Sequence, residues 1–228
     1  MKKLILCVAC LCLGATASMA QSTNSAPAKK LKKNYTSVGV EGSMLQWARL
    51  NSSDRVLPRY TYFFNMGLDY NRRLDKTVSV FTGLHLKNIG LIRVERLGST
   101  GQTGTLPVNI RTKERVYTLG APIGIRVNSR DGKSEFKVGM DCAVALNYKA
   151  KVFWNDTKMD KFNEWFSPEA AILHYSVFAG VNLYGVSVTT NYYLNNFFGR
   201  NSILNANLVT VGLGIQLDES DVKMKRKL

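Results

Sequence analysis

Acidic residues, cysteines, histidines and long apolar runs are all scarce in this 228-residue chain. Asp and Glu number 16 against 31 Lys and Arg, leaving a net charge of +15. That balance first suggests a nucleic-acid partner. The one sizeable apolar run, residues 4–13, is too short to cross a bilayer, so a bundle of membrane helices is excluded. Of the 4 cysteines, Cys7, Cys10 and Cys12 fall in or beside that run, and only Cys142 lies beyond it. A lone cysteine forms no internal disulfide. The 2 histidines, His85 and His174, stand far apart with no short metal-binding spacing. No cofactor or metal is expected. Disorder is excluded too, because 45% of residues are hydrophobic and 10% aromatic.

The N-terminus has the layout of a secretory signal. Met1-Lys2-Lys3 is basic, 4–13 is apolar, and Ser18-Met19-Ala20 precedes Gln21 as a small-x-small cleavage site. None of the early cysteines follows a good lipobox. The expected organisation is a signal peptide over 1–20, a flexible basic leader over 21–35, a folded region over 36–217 and a polar tail over 218–228. Removal of the signal leaves Cys142 as the sole thiol. It reads as a small apolar residue on a packed or lipid-facing surface, with a nucleophile as the alternative.

From Thr36 onward the pattern has period two, so side chains alternate between two faces of a strand. In 136–148 one face is Phe136, Val138, Met140, Cys142, Val144, Leu146 and Tyr148, and the other is Lys137, Gly139, Asp141, Ala143, Ala145 and Asn147. The same opposition of an apolar face to a small or polar one recurs near 37–44, 62–71, 78–87, 117–127, 170–182, 186–194 and 209–217, with Phe63 and Phe81 as exceptions. That makes eight strands of about ten residues or more, enough to cross a membrane at a tilt. The stretch 156–166 carries some helical spacing and reads as loop.

The connections alternate as well. Those at 48–60, 88–113, 149–167 and 195–205 are long, and those at 72–75, 128–132 and 183–185 are short. Bacterial outer-membrane barrels have this asymmetry, with short periplasmic turns and long surface loops. A soluble lipocalin-like barrel is the competitor, but its cavity is usually apolar and its exterior polar. Here aromatics stand near strand ends, Tyr62, Tyr117, Tyr148 and Tyr192 at the long-loop end and Tyr70 and Phe136 at the other, as interfacial girdles require. Tyr175 falls mid-strand. The expected fold is all-β, an eight-stranded antiparallel up-and-down transmembrane β-barrel. Lipid contains no water to pair backbone groups, so such strands must close into a ring.

Ala20-Gln21, the Gly-bearing alternating strands and the final strand 207–217 resemble the outer-membrane β-barrel family common in Bacteroidota, the porin-like group that includes PorT-type proteins. The resemblance spans 36–217 and is one of pattern rather than motif. It implies a client of the barrel assembly machinery, inserted in the outer membrane. One departure is the close of the last strand at Leu217-Asp218, where such barrels often end on an aromatic.

An eight-stranded barrel is only wide enough for side chains, so its polar face should form a plugged lumen. Strand direction puts Asp69, Arg126 and Lys137 at the periplasmic end, Glu41, Asp141 and His174 near mid-height, and His85, Lys87 and Glu169 near the outer mouth. Opposite charges there should pair. A sharper alternative gathers His85, His174 and Glu169 for metal or acid–base work. The loops offer a binding surface: Arg93, Arg96, Arg111 and Lys113 in one, and Lys149, Lys151, Trp154 and Trp165 in the next, with Lys158 and Lys161 between. Basic loops beside aromatics suit lipopolysaccharide phosphates, a surface glycan or a protein partner. The glycine-rich 98–104 is a flexible tip and not a phosphate cradle.

The expected protein is therefore a monomeric, structural or surface-binding barrel, not an enzyme, with no nucleic-acid partner. The alternatives are a lipid A-modifying enzyme and a narrow pore or secretion-system component. The charge fits this placement. Lys2, Lys3, Lys29, Lys30, Lys32 and Lys33 precede the barrel, and much of the remainder lies in loops beside anionic headgroups.

Overall fold

Alternating apolar and small residues with few helix-favouring stretches produce strands almost throughout. The computed structural model describes residues 33–50, 55–57, 62–97, 108–129, 133–199 and 205–218. The signal peptide, most of the leader, the 98–104 tip and nearly all of the tail lie outside them. The elements are β1 (Asn34–Leu50), β2 (Arg55–Val56), β3 (Tyr62–Arg73), β4 (Val78–Leu97), β5 (Val108–Asn128), β6 (Ser134–Trp154), β7 (Thr157–Trp165), β8 (Leu173–Leu183), β9 (Val186–Tyr193) and β10 (Ala206–Asp218). β1 thus begins inside the segment expected as leader.

Eight of these strands close a ring. β1 pairs with β3, β3 with β4, β4 with β5, β5 with β6, β6 with β8, β8 with β9, β9 with β10, and β10 returns to β1, every pair antiparallel. The fold is an up-and-down barrel, and closure satisfies the edge hydrogen bonds that an open sheet would leave bare. Short turns gather at one end. The β8–β9 turn is Tyr184-Gly185, with φ of 54° and 89°. Positive φ at both central residues is the hairpin turn whose twist matches the flanking strands.

The outer surface is apolar around the whole ring. Ile123, Leu213 and Leu68 are 66%, 63% and 53% exposed, and Val40, Leu84, Met140 and Val188 stand out likewise. Inside, Arg126, Asn71 and Ser79 are fully buried. This is a water-soluble protein turned inside out, the arrangement of a barrel that faces lipid. Cys142 is exposed on the apolar face.

Three sequence expectations change. First, β4, β5 and β6 are 20, 21 and 21 residues long, so much of what reads as loop at 88–113 and 149–167 is strand. Together with β2 and β7 they continue the wall as a five-stranded sheet beyond the ring. The 156–166 stretch is β7, whose hairpin to β6 turns at Asn155-Asp156 with φ of 44° and 66°. Second, Tyr148 faces inward. Tyr117 pairs with Asn147 and Thr118 with Ala145, so Leu146 is an extra residue in β6, and that bulge reverses the alternation above it. Third, the lumen is not polar throughout. At the long-connection end Leu45, Ile89, Leu91, Val116, Tyr148, Phe197, Phe198 and Leu208 form an apolar core. Phe81 and Phe178 also point inward, with ring centroids 6.1 Å apart. Tyr62 has a described backbone only, while Tyr70 and Tyr192 lie half-exposed on the outer face as girdle residues should.

Candidate functional site

Two groups of polar side chains stand out, one inside the ring and one on the outer face above it.

In the lumen, Asp69 is the hub. It accepts from Arg126 and faces His85 Nε2 at 2.9 Å. Arg126 also lies 3.5 Å from Glu135, which accepts from Gln216 at 3.2 Å, and its guanidinium stacks 4.6 Å from the Phe81 ring centre. A second pair joins Lys87 Nζ to Asp141 Oδ2 at 2.6 Å. Ser43 donates to Glu41 at 2.7 Å. Lys137 lines the same cavity as Asp69, His85 and Lys87. Glycines on neighbouring strands make the space. A Cβ on Gly212 would fall 2.0 Å from Glu41 Oε1, and one on Gly120 would fall 2.6 Å from Asp141 Oδ1. Each charge thus has an opposite charge or a donor close by, as burial demands.

The sequence-derived heights need correction for the two histidines. His85 sits not at the outer mouth but against Asp69, because Gly67 of β3 faces it in the register and leaves its ring room. His174 is buried beside Phe197, ring centroids 6.1 Å apart, in the apolar end. Glu169 is exposed in the connection before β8. The three do not converge, and among the described residues no cluster of three His, Cys, Asp or Glu is placed to hold a metal.

The second group lies on the sheet above the ring. Register fixes its rows. Tyr117 of β5 pairs with Asn147 of β6, which pairs with Trp165 of β7. One step higher the row is Arg115, Lys149 and Asn163, and the next is Lys113, Lys151 and Lys161. Above that, Arg111 pairs with Phe153. Side-chain contacts confirm the shared outer face. Lys149 lies 4.8 Å from the Tyr117 ring centre, and Arg111 and Lys113 each lie 5.0 Å from that of Phe153. Acidic residues take the opposite face: Glu114 pairs with Ala150, Asp160 with Val152 and Glu164 with Tyr148. Arg93 belongs there too, 3.6 Å from Glu114. Trp154, paired with Ile110, shares its side of the strand with Val152 rather than with Lys151. The side chain of Arg96 is outside the described residues.

On the outer face the described acidic partner is Asp156 at the hairpin turn, 2.9 Å from Arg111 and itself 82% exposed. Burial, then the charges of Arg111, Arg115 and Lys151, hold the Lys113 ammonium below the usual lysine range. Arg115, Phe153 and Lys161 complete the surface. The signal for Arg115 in the sequence is the alternation Arg111, Lys113, Arg115, Tyr117, which continues the strand pattern below it, and Phe153 follows Lys149 and Lys151 in the same period on β6.

No known family pattern matches this chain, and no curated protein matches it. Solved structures of similar shape include Ail, the attachment invasion locus protein of Yersinia pestis, in complex with the heparin analogue sucrose octasulfate. It is 9% identical, with a TM-score of 0.38 over 82% of this chain and 100% of that one. Ail alone gives 10% identity and 0.38 over the same shares. Neisserial surface protein A gives 11% and 0.38 over 79% of this chain and 96% of that one. At such identity no residue role passes from these proteins to this chain.

Proposed function

We propose that this chain is an integral outer-membrane β-barrel whose lumen is closed to solutes, and that it holds a stiff sheet at the cell surface as a binding element. The observation that carries this is Arg126, fully buried inside the ring between Asp69, Glu135 and the Phe81 ring. Together with the apolar core at the other end, it leaves the interior occupied by side chains at two heights. The apolar outer band supports placement in lipid. Export through a cleaved signal, insertion by the assembly machinery, contact with lipopolysaccharide and a monomeric state belong to the same proposal. A porin-like, PorT-type kinship is its natural setting. A lipid-modifying enzyme has less support. It needs histidine and acid together at the membrane surface, whereas Asp69 engages His85 in the lumen and Phe197 packs on His174.

The test is electrical. Purified protein reconstituted in planar bilayers is expected to give no steady unit conductance. Stable channel openings from correctly folded protein would contradict the closed lumen and favour a narrow pore.

A further inference from the structure

The rows above the aromatic residues present a problem of charge. Lys113, Lys151 and Lys161 stand side by side on three adjacent strands, with Arg115 and Lys149 one step below. Neighbouring strands are about 4.8 Å apart and alternate residues about 6.7 Å apart along a strand. Like charges directly opposite one another destabilise a sheet. The acids that might relieve them, Glu114, Asp160 and Glu164, pair into positions on the other face. Asp156 is too exposed to offset more than one charge. The sheet alone does not balance this face, so an external anion is the natural partner.

Position says which anion. Along the outward side of β5 the residues run Ile125, Ile123, Ala121, Leu119, Tyr117, Arg115, Lys113 and Arg111. The wall passes from an apolar band through one aromatic step, Tyr117 with Trp165, directly into the cations. With strands tilted about 40°, each pair of residues rises about 5 Å, so the first two basic rows lie about 5 and 10 Å above the aromatic level. Aromatic rings mark the headgroup boundary. A soluble ligand would not require its cations to continue the lipid-facing wall, whereas a lipid phosphate would.

We propose that Arg115, Lys149, Lys113, Lys151 and Lys161 form a binding site for the phosphate groups of lipid A in the outer leaflet. This deepens the surface-binding reading above and rests on it for the membrane placement. The grid offers each phosphate two or three ammonium or guanidinium donors within reach, and Phe153 holds Arg111 and Lys113 against the sheet. The bound lipid would brace β7, which pairs with β6 on one side only.

The experiment uses the full-length protein folded in detergent micelles. Native mass spectrometry reads retention of bisphosphorylated lipid A against the same lipid with its phosphates removed. Retention of the phosphorylated form is expected to be at least tenfold greater. It should fall at least fivefold in the triple variant Lys113→Gln, Lys151→Gln, Lys161→Gln, and stay unchanged in Lys76→Gln at the opposite end of the barrel. Heat-shifted gel mobility checks that each variant is folded. If the triple variant does not fold, Lys161→Gln alone, on the exposed β7, is expected to lower retention about twofold. Equal retention of the two lipids would overturn the proposal. So would displacement of lipid A by a soluble sulfated oligosaccharide, which would identify a glycan site instead. Conductance measured on the same preparation separates the two claims: an open channel that still prefers phosphorylated lipid A refutes the closed lumen and leaves this site standing.

Discussion

Lys87 of β4 and Asp141 of β6 meet at 2.6 Å across the inner face of β5. Their side chains are 4% and 2% exposed, so neither charge has access to water. Removing one partner leaves the other buried and unpaired. Lys87→Met is expected to cost about 3–5 kcal/mol, whereas the double change Lys87→Met, Asp141→Leu should recover most of that loss. Urea-induced unfolding in phospholipid vesicles, followed by tryptophan fluorescence, measures both. A double variant no more stable than the single one would show that the pair is not the unit that matters.

The glycines of the lumen act as sockets. Gly212 faces Ser43 of β1, and a Cβ there would meet Glu41 Oε1 at 2.0 Å. Gly212→Ala must displace the Glu41 carboxylate from Ser43, at an expected cost of about 1–3 kcal/mol. Gly39→Ala is the matched control. Its nearest neighbour would be the Ile215 carbonyl at 3.8 Å, an ordinary contact, so its effect should stay within about 0.5 kcal/mol. Equal losses at the two sites would remove the distinction.

Arg126 and Phe81 occupy the lumen as a stacked pair, 4.6 Å from guanidinium to ring centre. Their joint removal in Phe81→Ala, Arg126→Ala takes two large side chains out of the closed interior. Reconstituted in planar bilayers, this variant is expected to stay as silent as the unaltered protein, because the apolar core around Phe197 and Leu45 still fills the other end. Ion current from the folded variant would show that the Arg126 layer alone closes the barrel.

The β6–β7 hairpin depends on Asn155 and Asp156, both at positive φ. Asn and Asp tolerate that region, and β-branched residues do not. Asn155→Val, Asp156→Val is expected to speed amide hydrogen exchange over 150–165 by an order of magnitude or more, with β8, β9 and β10 unchanged. Exchange that rises uniformly around the ring would mean that the hairpin is not an independent projection.

The barrel was legible because its physics is local. Each strand crosses an interface between an apolar exterior and a tight interior, so a period of two is written into Val38, Val40 and their counterparts on every strand. The interior pairing was legible only as a demand that charges be matched. Which acid met which base depended on stagger, and His85 found Asp69 through a register that no single strand records. Tyr148 turned inward because one extra residue, Leu146, reversed the alternation, and a bulge leaves no mark in composition. The long strands above the ring were hidden for a different reason. There Arg and Lys replace Val and Ile on the outer face, so residues 108–113 and 149–154 read as polar loop. Arg111, Lys113 and Arg115 still obey the period of two, which was the available clue.

The central claim is a closed barrel embedded in lipid, and gel mobility of the outer-membrane fraction tests it most directly. Unboiled protein in sodium dodecyl sulfate should remain folded and migrate differently from the boiled form, and should leave the membrane only with detergent. Identical migration before and after boiling, together with solubility in plain buffer, would contradict it.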